Sequence, residues 1–150
     1  MNSKEKLNEF MVEAYNGILR NEEQSLCSKE LNDLTISEIH VLEAVAALGE
    51  EPKMSTVAAT LGRTQGTLTV AVNTLVRKGY MLRQRSTKDK RSISIKLTEK
   101  GMYAQKLHYQ YHLKLVETIY NNLDAQQIAA LTNGLEIIAN FFKGGKQSGN

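Results

Sequence analysis

Apolar residues recur at helical spacing over most of the chain and at alternate positions over one short stretch. Leu7, Phe10, Ala14 and Gly17 (or Ile18) follow a 3-4-3 spacing, which predicts a helix over about 4–26. Leu31 to Leu34 reads as a connector, and Thr35-x-x-Glu38 as a capping box with Leu34 and Ile39 as its hydrophobic staple. The helix it starts should carry Ile39, Leu42, Val45 and Ala46 inward and end near Gly49. Glu50 to Lys53 is a loop with room for a brief edge strand. Met54 to Leu61 then makes a short helix with Val57, Ala58 and Leu61 on one face, and Gly62 supplies a tight turn. Thr64 has the chemistry of an N-cap for a helix running to Lys78, with Leu68, Val72 and Leu75 inward and Gly79 as a left-handed stop. Two strands follow, Met81 to Arg85 and Ser92 to Leu97, the second alternating with Ile93, Ile95 and Leu97 on one face. Thr98 caps a long helix to about Asn122, with Leu107, Tyr111 and Leu115 on one row. Asp124-x-x-Gln127 opens the last helix, about Ala125 to Phe142, whose Ile128, Leu131, Leu135, Ile138 and Phe142 form a coiled-coil-like seam. Residues 144–150 read as a polar, disordered tail.

The stretch from Met54 to Gly101 organises the rest. Helix, turn, longer helix and two-stranded hairpin, in that order, form a winged helix-turn-helix, so the fold class expected is mainly α with a small β-hairpin wing. The outward face of the longer helix carries Gly66, Val70, Asn73 and Arg77, flanked by Thr67, Thr69 and Thr74, with Thr64 and Gln65 at its start. A solvated helix face is normally rich in Glu and Lys, whereas this one is short, uncharged and hydroxyl-rich until Arg77. Such side chains let a helix sit deep in a major groove, where Thr and Asn can bond base edges and a methyl can touch thymine. The hairpin carries Arg83 and Arg85 on its approach strand and Lys88, Lys90 and Arg91 at its tip, which suits a narrow minor groove. Asp89 is expected to orient the Arg91 guanidinium by bidentate pairing. An ordinary amphipathic helix and a solvated charged tip are the plainer readings of the same residues.

Charge separates these readings. The formal net charge is only +3, but residues 53–106 hold 12 Lys and Arg against 2 acids, while the remainder holds 7 basic and 14 acidic residues. A basic middle on an acidic frame is the electrostatic footprint of phosphate-backbone binding. Stacked aromatics of the kind that single-strand RNA modules use are missing from the pattern. At 150 residues the chain is one domain's length. No apolar run approaches the roughly 18 residues of a membrane span, the N-terminus lacks a signal-peptide core, and a single cysteine fits a reducing cytoplasm.

Asp89-x-Arg91 followed by Leu97-Thr98-x-x-Gly101 resembles the wing signature of the MarR family of transcriptional regulators. Thr64-Gln-Gly-Thr-Leu-Thr and Asn73-x-Leu75-x-x-Lys78-Gly79-Tyr80 are similar to that family's recognition helix. Within the family the chain most resembles the FabT-type repressors of fatty-acid synthesis, with Arg77-Lys-Gly-Tyr80, Leu34-Thr-Ile-Ser-Glu-Ile-His40, Asn21-Glu-Glu23 and Leu107-His-x-x-x-His112 as further matches. Lys90 stands where that branch has a second Arg, and the tail after Lys143 matches nothing in it. The resemblance implies one MarR-like domain over 1–150, with a winged helix over about 35–98 and dimerisation helices over about 4–26 and 99–143. It implies a cytoplasmic homodimer on palindromic double-stranded DNA, with two recognition helices one turn, about 34 Å, apart. It implies long-chain acyl-acyl carrier protein as effector, and no cofactor. The effector cleft would be lined by Phe10, Met11, Ala14 and Ile18 from the first helix, Ile39 and His40 from the second, and His108, Tyr111 and His112 from the fifth.

Three other chemistries compete. An enzyme would draw on Cys27 and three histidines, but no nucleophile elbow, phosphate loop or paired-carboxylate motif is present. A zinc sensor would use His108 and His112, at i and i+4, with His40, Cys27 and Glu23 (or Glu22) completing the set. A thiol sensor would rest on Cys27, whose neighbour Lys29 alone would lower its pKa; the plainer reading is a buried, inert thiol.

Overall fold

The computed structural model describes residues 1–144, so the expected tail, apart from Gly144, lies outside the described residues. The elements are α1 (Ser3–Ser25), α2 (Ile36–Leu48), α3 (Met54–Leu61), α4 (Gln65–Arg77), β1 (Met81–Arg85), β2 (Ile93–Leu97), α5 (Glu99–Asn122) and α6 (Ala125–Gly144). They form two compact units, one of Met1–Tyr111 and one from His112 onward, with α5 running through the boundary.

In the first unit the core is the winged helix. Leu68, Val72 and Leu75 of α4 are fully buried, as their spacing predicts. Each such side chain contributes roughly 1.5–3 kcal/mol relative to exposure. β1 and β2 pair antiparallel, Met81 opposite Leu97 and Arg85 opposite Ile93. The loop before α3 adds the expected edge: Lys53 bridges Ser94, and the Ile95 N–H donates to the Pro52 carbonyl at 3.1 Å. Thr35 and Glu38 form the capping box of α2, each side chain accepting from the other's backbone N–H, at 3.1 and 3.0 Å. A further box, Asn2 with Glu5, starts α1.

Four expectations about packing need correction. Helix α2 touches α3, α4 and β2. A helix surrounded in this way is buried on most sides. Val41 and Ala44 therefore join Ile39, Leu42 and Val45 inside, whereas Ala46 is exposed. Ile93 is exposed because its end of the hairpin projects beyond the core, leaving Ile95 and Leu97 as the inward pair. On α5 the buried row is Gly101, Ala104 and His108; Leu107 and Tyr111 are half-buried and Leu115 is exposed. On α1 only Glu22 and Ser25 are buried, so the apolar stripe of Leu7, Phe10 and Ile18 does not enter the core.

In the second unit the Asp124–Gln127 box joins the end of α5 to α6, with both hydrogen bonds at 2.9 Å. Helix α6 runs two residues beyond the expected Phe142, and none of its residues is buried. Leu135, Ile137, Phe141 and Phe142 are all more than half exposed. No helix among the described residues is long and apolar enough to cross a membrane.

Candidate nucleic-acid interface

Two glycine-centred turns set the angle of α4. Gly62 adopts a left-handed conformation (φ +63°), with its N–H on the Ala59 carbonyl and the Arg63 N–H on Ala58, the Schellman pattern. Gly79 (φ +85°) repeats it at the other end, with its N–H on Val76 and the Tyr80 N–H on Leu75. Thr64 caps the helix start through the Thr67 N–H at 3.2 Å. Polar ties hold the C-terminal end. Lys78 Nζ donates to Glu38 Oε2 at 2.9 Å and to the Asp33 carbonyl, and the Tyr80 hydroxyl donates to Asp33 Oδ1 at 2.5 Å. Burial, then that hydrogen bond, push the Tyr80 phenol upward from its ordinary range. Lys78 therefore serves the fold rather than the basic outer surface.

Gln65, Gly66, Thr67, Thr69, Val70, Asn73 and Arg77 are all exposed on α4, Val70 at 67%. The expectation that the threonines offer donors is corrected in part. Thr69 and Thr74 donate to the Gln65 and Val70 carbonyls, at 2.8 and 3.1 Å, and Thr64 donates to Thr67 Oγ1 at 2.9 Å. Asn73 is tied to the wing, because Arg83 Nη2 donates to its Oδ1.

At the wing tip Arg85, Lys88, Asp89, Lys90 and Arg91 are exposed. The expected Asp89 pairing with the Arg91 guanidinium is replaced by a backbone contact: Asp89 Oδ1 accepts from the Arg91 N–H at 3.0 Å. The Asp89 carbonyl accepts from the Ser92 N–H and hydroxyl, at 3.0 and 3.1 Å. The carboxylate thus builds the turn. A residue the sequence reading missed anchors that turn. Glu51, itself in a left-handed conformation (φ +54°), accepts from the Thr87 N–H and hydroxyl, at 3.1 and 3.0 Å, and from the Ser86 hydroxyl at 3.3 Å. The Thr87 hydroxyl chiefly holds the Glu51 carboxyl below its usual pKa, with help from the Thr87 N–H, Ser86 and nearby Lys88 against partial desolvation. The anchor is complete above the ordinary carboxylate range and is lost as pH falls through the lowered value. Glu51→Ala should weaken DNA binding several-fold near neutral pH while leaving the fold intact, read as operator affinity beside a melting curve. Unchanged affinity would show that the tip holds its shape without this contact.

The expected effector and metal residues fall differently. Ile39 is fully buried in the core, while Phe10, Met11, Ala14 and Ile18 are exposed on α1. Tyr111 and His112 are half-buried on α5. His108 is fully buried. The Ser25 hydroxyl donates to the Glu22 carbonyl at 2.5 Å, so its oxygen accepts from His108 Nδ1 at 2.8 Å. His108 Nε2 faces Glu43 at 3.3 Å and Glu22 at 3.8 Å, and His40 Nε2 lies 3.3 Å from the same Glu22 oxygen. Glu22 and Glu43, not the exposed Glu23, are the acids facing these imidazoles. Cys27 is exposed, not buried, and donates to the Glu23 carbonyl at 3.7 Å. A groove of about 760 Å³, unforeseen from the sequence, opens where the end of α2 meets β2 and the start of α5, with Val45, Ala46, Ile95, Met102, Lys96 and Lys106 among its walls.

The sequence pattern of the SarA/Rot transcriptional regulators matches residues 25–109, from the end of α1 through the wing into α5. FabT of Streptococcus pneumoniae, solved in complex with DNA, superposes with a TM-score of 0.83 at 31% identity, over 95% of this chain and 99% of that one. The chain belongs to the MarR-type winged-helix transcriptional regulators. This regulator shares its fold with MepR of S. aureus solved in complex with DNA (TM-score 0.74, 18% identity, 94% and 99% covered). It also shares it with MarR of E. coli in its apo form (TM-score 0.64, 23% identity, 88% and 96% covered). No curated protein sequence matches it. The family expected from the wing and recognition-helix motifs is thus the family found, and it is one of regulators rather than enzymes.

Proposed function

We propose that this regulator is a cytoplasmic repressor of fatty-acid synthesis genes that binds a palindromic operator as a homodimer and answers to long-chain acyl-acyl carrier protein. One observation carries the DNA-binding part: the exposed, nearly uncharged face of α4 lies beside a wing bearing Arg83, Arg85, Lys88, Lys90 and Arg91. The likeness to FabT supports the choice of genes. Apolar residues left exposed on α1 and, separately, on α6 suit burial against a second copy. For the acyl chain, the apolar wall of Val45, Ile95 and Met102 is a better place than the α1 residues first expected. Footprinting on the gene's own upstream region, with and without acyl carrier protein loaded with different chains, tests the reading. Ala46→Phe should fill the groove and abolish the acyl response while the unliganded protein still protects its operator. Absence of protection at any palindrome would end the repressor reading. In the same assay, Lys88→Ala and Lys90→Ala should each flatten the salt dependence by about one unit of slope without altering sequence preference.

A second effector reading rests on Glu22, whose Oε1 lies 3.3 Å from His40 Nε2 and 3.8 Å from His108 Nε2. Such a set suits a transition-metal ion such as zinc. On this reading operator affinity changes between added zinc and chelator, and His40→Ala, at a part-exposed position, removes the change. Equal affinity under both conditions would leave the cluster a structural one.

A further inference from the structure

Two neighbouring side chains of α4 restrict which base it can read. Arg83 donates to Asn73, and a guanidinium has only donors. The amide therefore turns its oxygen to Arg83 and keeps its Nδ2 donors for an outside partner. A cation seated on Oδ1 also repels any further amino group, so the paired donor–acceptor grip of asparagine on adenine is disfavoured, and cytosine's amino group with it. The major-groove acceptors remain: thymine O4, guanine O6 and N7, and adenine N7.

Val70, three residues earlier on the same face, decides between them. Its side chain is 67% exposed, and thymine alone of the bases carries a methyl in the major groove. Thr69 and Thr74, on either side, commit their hydroxyl protons to helix carbonyls and do not compete with Asn73 as donors. We propose that α4 reads thymine, with Val70 against the 5-methyl group and Asn73 Nδ2 donating to O4, and that Arg83 is the positioning residue that fixes this choice. The inference rests on the DNA-binding reading above.

The test begins with selection of an operator from random duplex DNA by the full-length protein. Each selected thymine is then replaced by deoxyuridine, which lacks the methyl, or by 5-methylcytosine opposite guanine, which keeps the methyl but turns the O4 acceptor into a donor. At one position per half-site the wild type should lose roughly tenfold in affinity with 5-methylcytosine and somewhat less with deoxyuridine. Val70→Ala should be indifferent to deoxyuridine there. Arg83→Ala, whose Asn73 amide can turn over, should close most of the 5-methylcytosine gap, whereas Arg83→Lys, still a donor, should retain it. Arg83 also adds positive charge, so the ratio between the two DNAs is read rather than the affinity alone. Equal 5-methylcytosine discrimination by wild type and Arg83→Ala, or equal deoxyuridine sensitivity of wild type and Val70→Ala, would overturn the assignment while leaving DNA recognition standing. Failure of the wild type to enrich any sequence would instead remove the DNA-binding reading itself.

Discussion

Gly101→Ala should destabilise the winged helix by about 3 kcal/mol, near the upper end of what overpacking costs. The residue lies in the first turn of α5, where alanine would ordinarily be worth about 1 kcal/mol more than glycine. Here an added Cβ would run into the Tyr80 carbonyl oxygen and lie 3.1 Å from its carbonyl carbon and 3.4 Å from Leu97 Cβ. Backbone, not a flexible side chain, is in the way. That carbonyl is itself held by the Thr98 N–H at 3.0 Å, while Thr98 Oγ1 donates to the Gly79 carbonyl at 2.6 Å and accepts from the Gly101 N–H at 3.1 Å. Lys100 closes the same junction, with its ammonium 4.3 Å from the Tyr80 ring centre and 3.0 Å from the Lys78 carbonyl. Helix α5 can retreat from the methyl only by giving up these bonds together. Urea denaturation at one fixed protein concentration is the measurement, because the stability of any chain that self-associates depends on concentration. A neutral or stabilising result would mean that α5 shifts freely against the hairpin.

The glycine shows where sequence reasoning stops. Leu97-Thr98-x-x-Gly101 stood out as a motif, and the Thr98 cap followed from local chemistry, but the reason for glycine is a close approach to Tyr80, 21 positions away. Features made within a few residues were readable: the Thr35, Thr64 and Asp124 caps, the left-handed Gly62 and Gly79, and the inward row of α4. Features decided across the fold were not. Helix α2 has helical spacing on every side because three elements surround it, so periodicity could not say that Val41 faces in and Ala46 out. Glu22 and Glu23 are adjacent acids, and only the packing of α1 selects Glu22 for the histidines. Glu51 reads as a loop acid, and its role depends on Thr87 being brought to it from 36 positions away. For the DNA-facing surface, the residue types were readable and their pairings were not, as Asn73 with Arg83 shows.

Arg91→Ala should weaken operator binding by roughly 1–3 kcal/mol, the usual worth of one good base-edge contact, with much less effect on random DNA. The motive is its place at the exposed tip of the wing, beyond a turn that is built to present it. Asp89 Oδ1 holds the Arg91 N–H at 3.0 Å, and the Asp89 carbonyl holds both groups of Ser92. The Asp89 charge has no share in those hydrogen bonds beyond making the acceptor stronger, and near phosphates it is repulsive. Two substitutions separate these effects. Asp89→Asn keeps an acceptor oxygen in the same place and removes the negative charge, so it should bind the operator as tightly as wild type or more tightly. Asp89→Ala removes the acceptor as well, lets the turn fray, and should lose part of what Arg91→Ala loses despite the same change in charge. Operator and random-duplex affinities of the three variants, measured at one salt concentration, give the ordering. If Asp89→Asn is as damaging as Asp89→Ala, the carboxylate acts on the Arg91 guanidinium once DNA is bound, and the backbone turn is not what positions the wing.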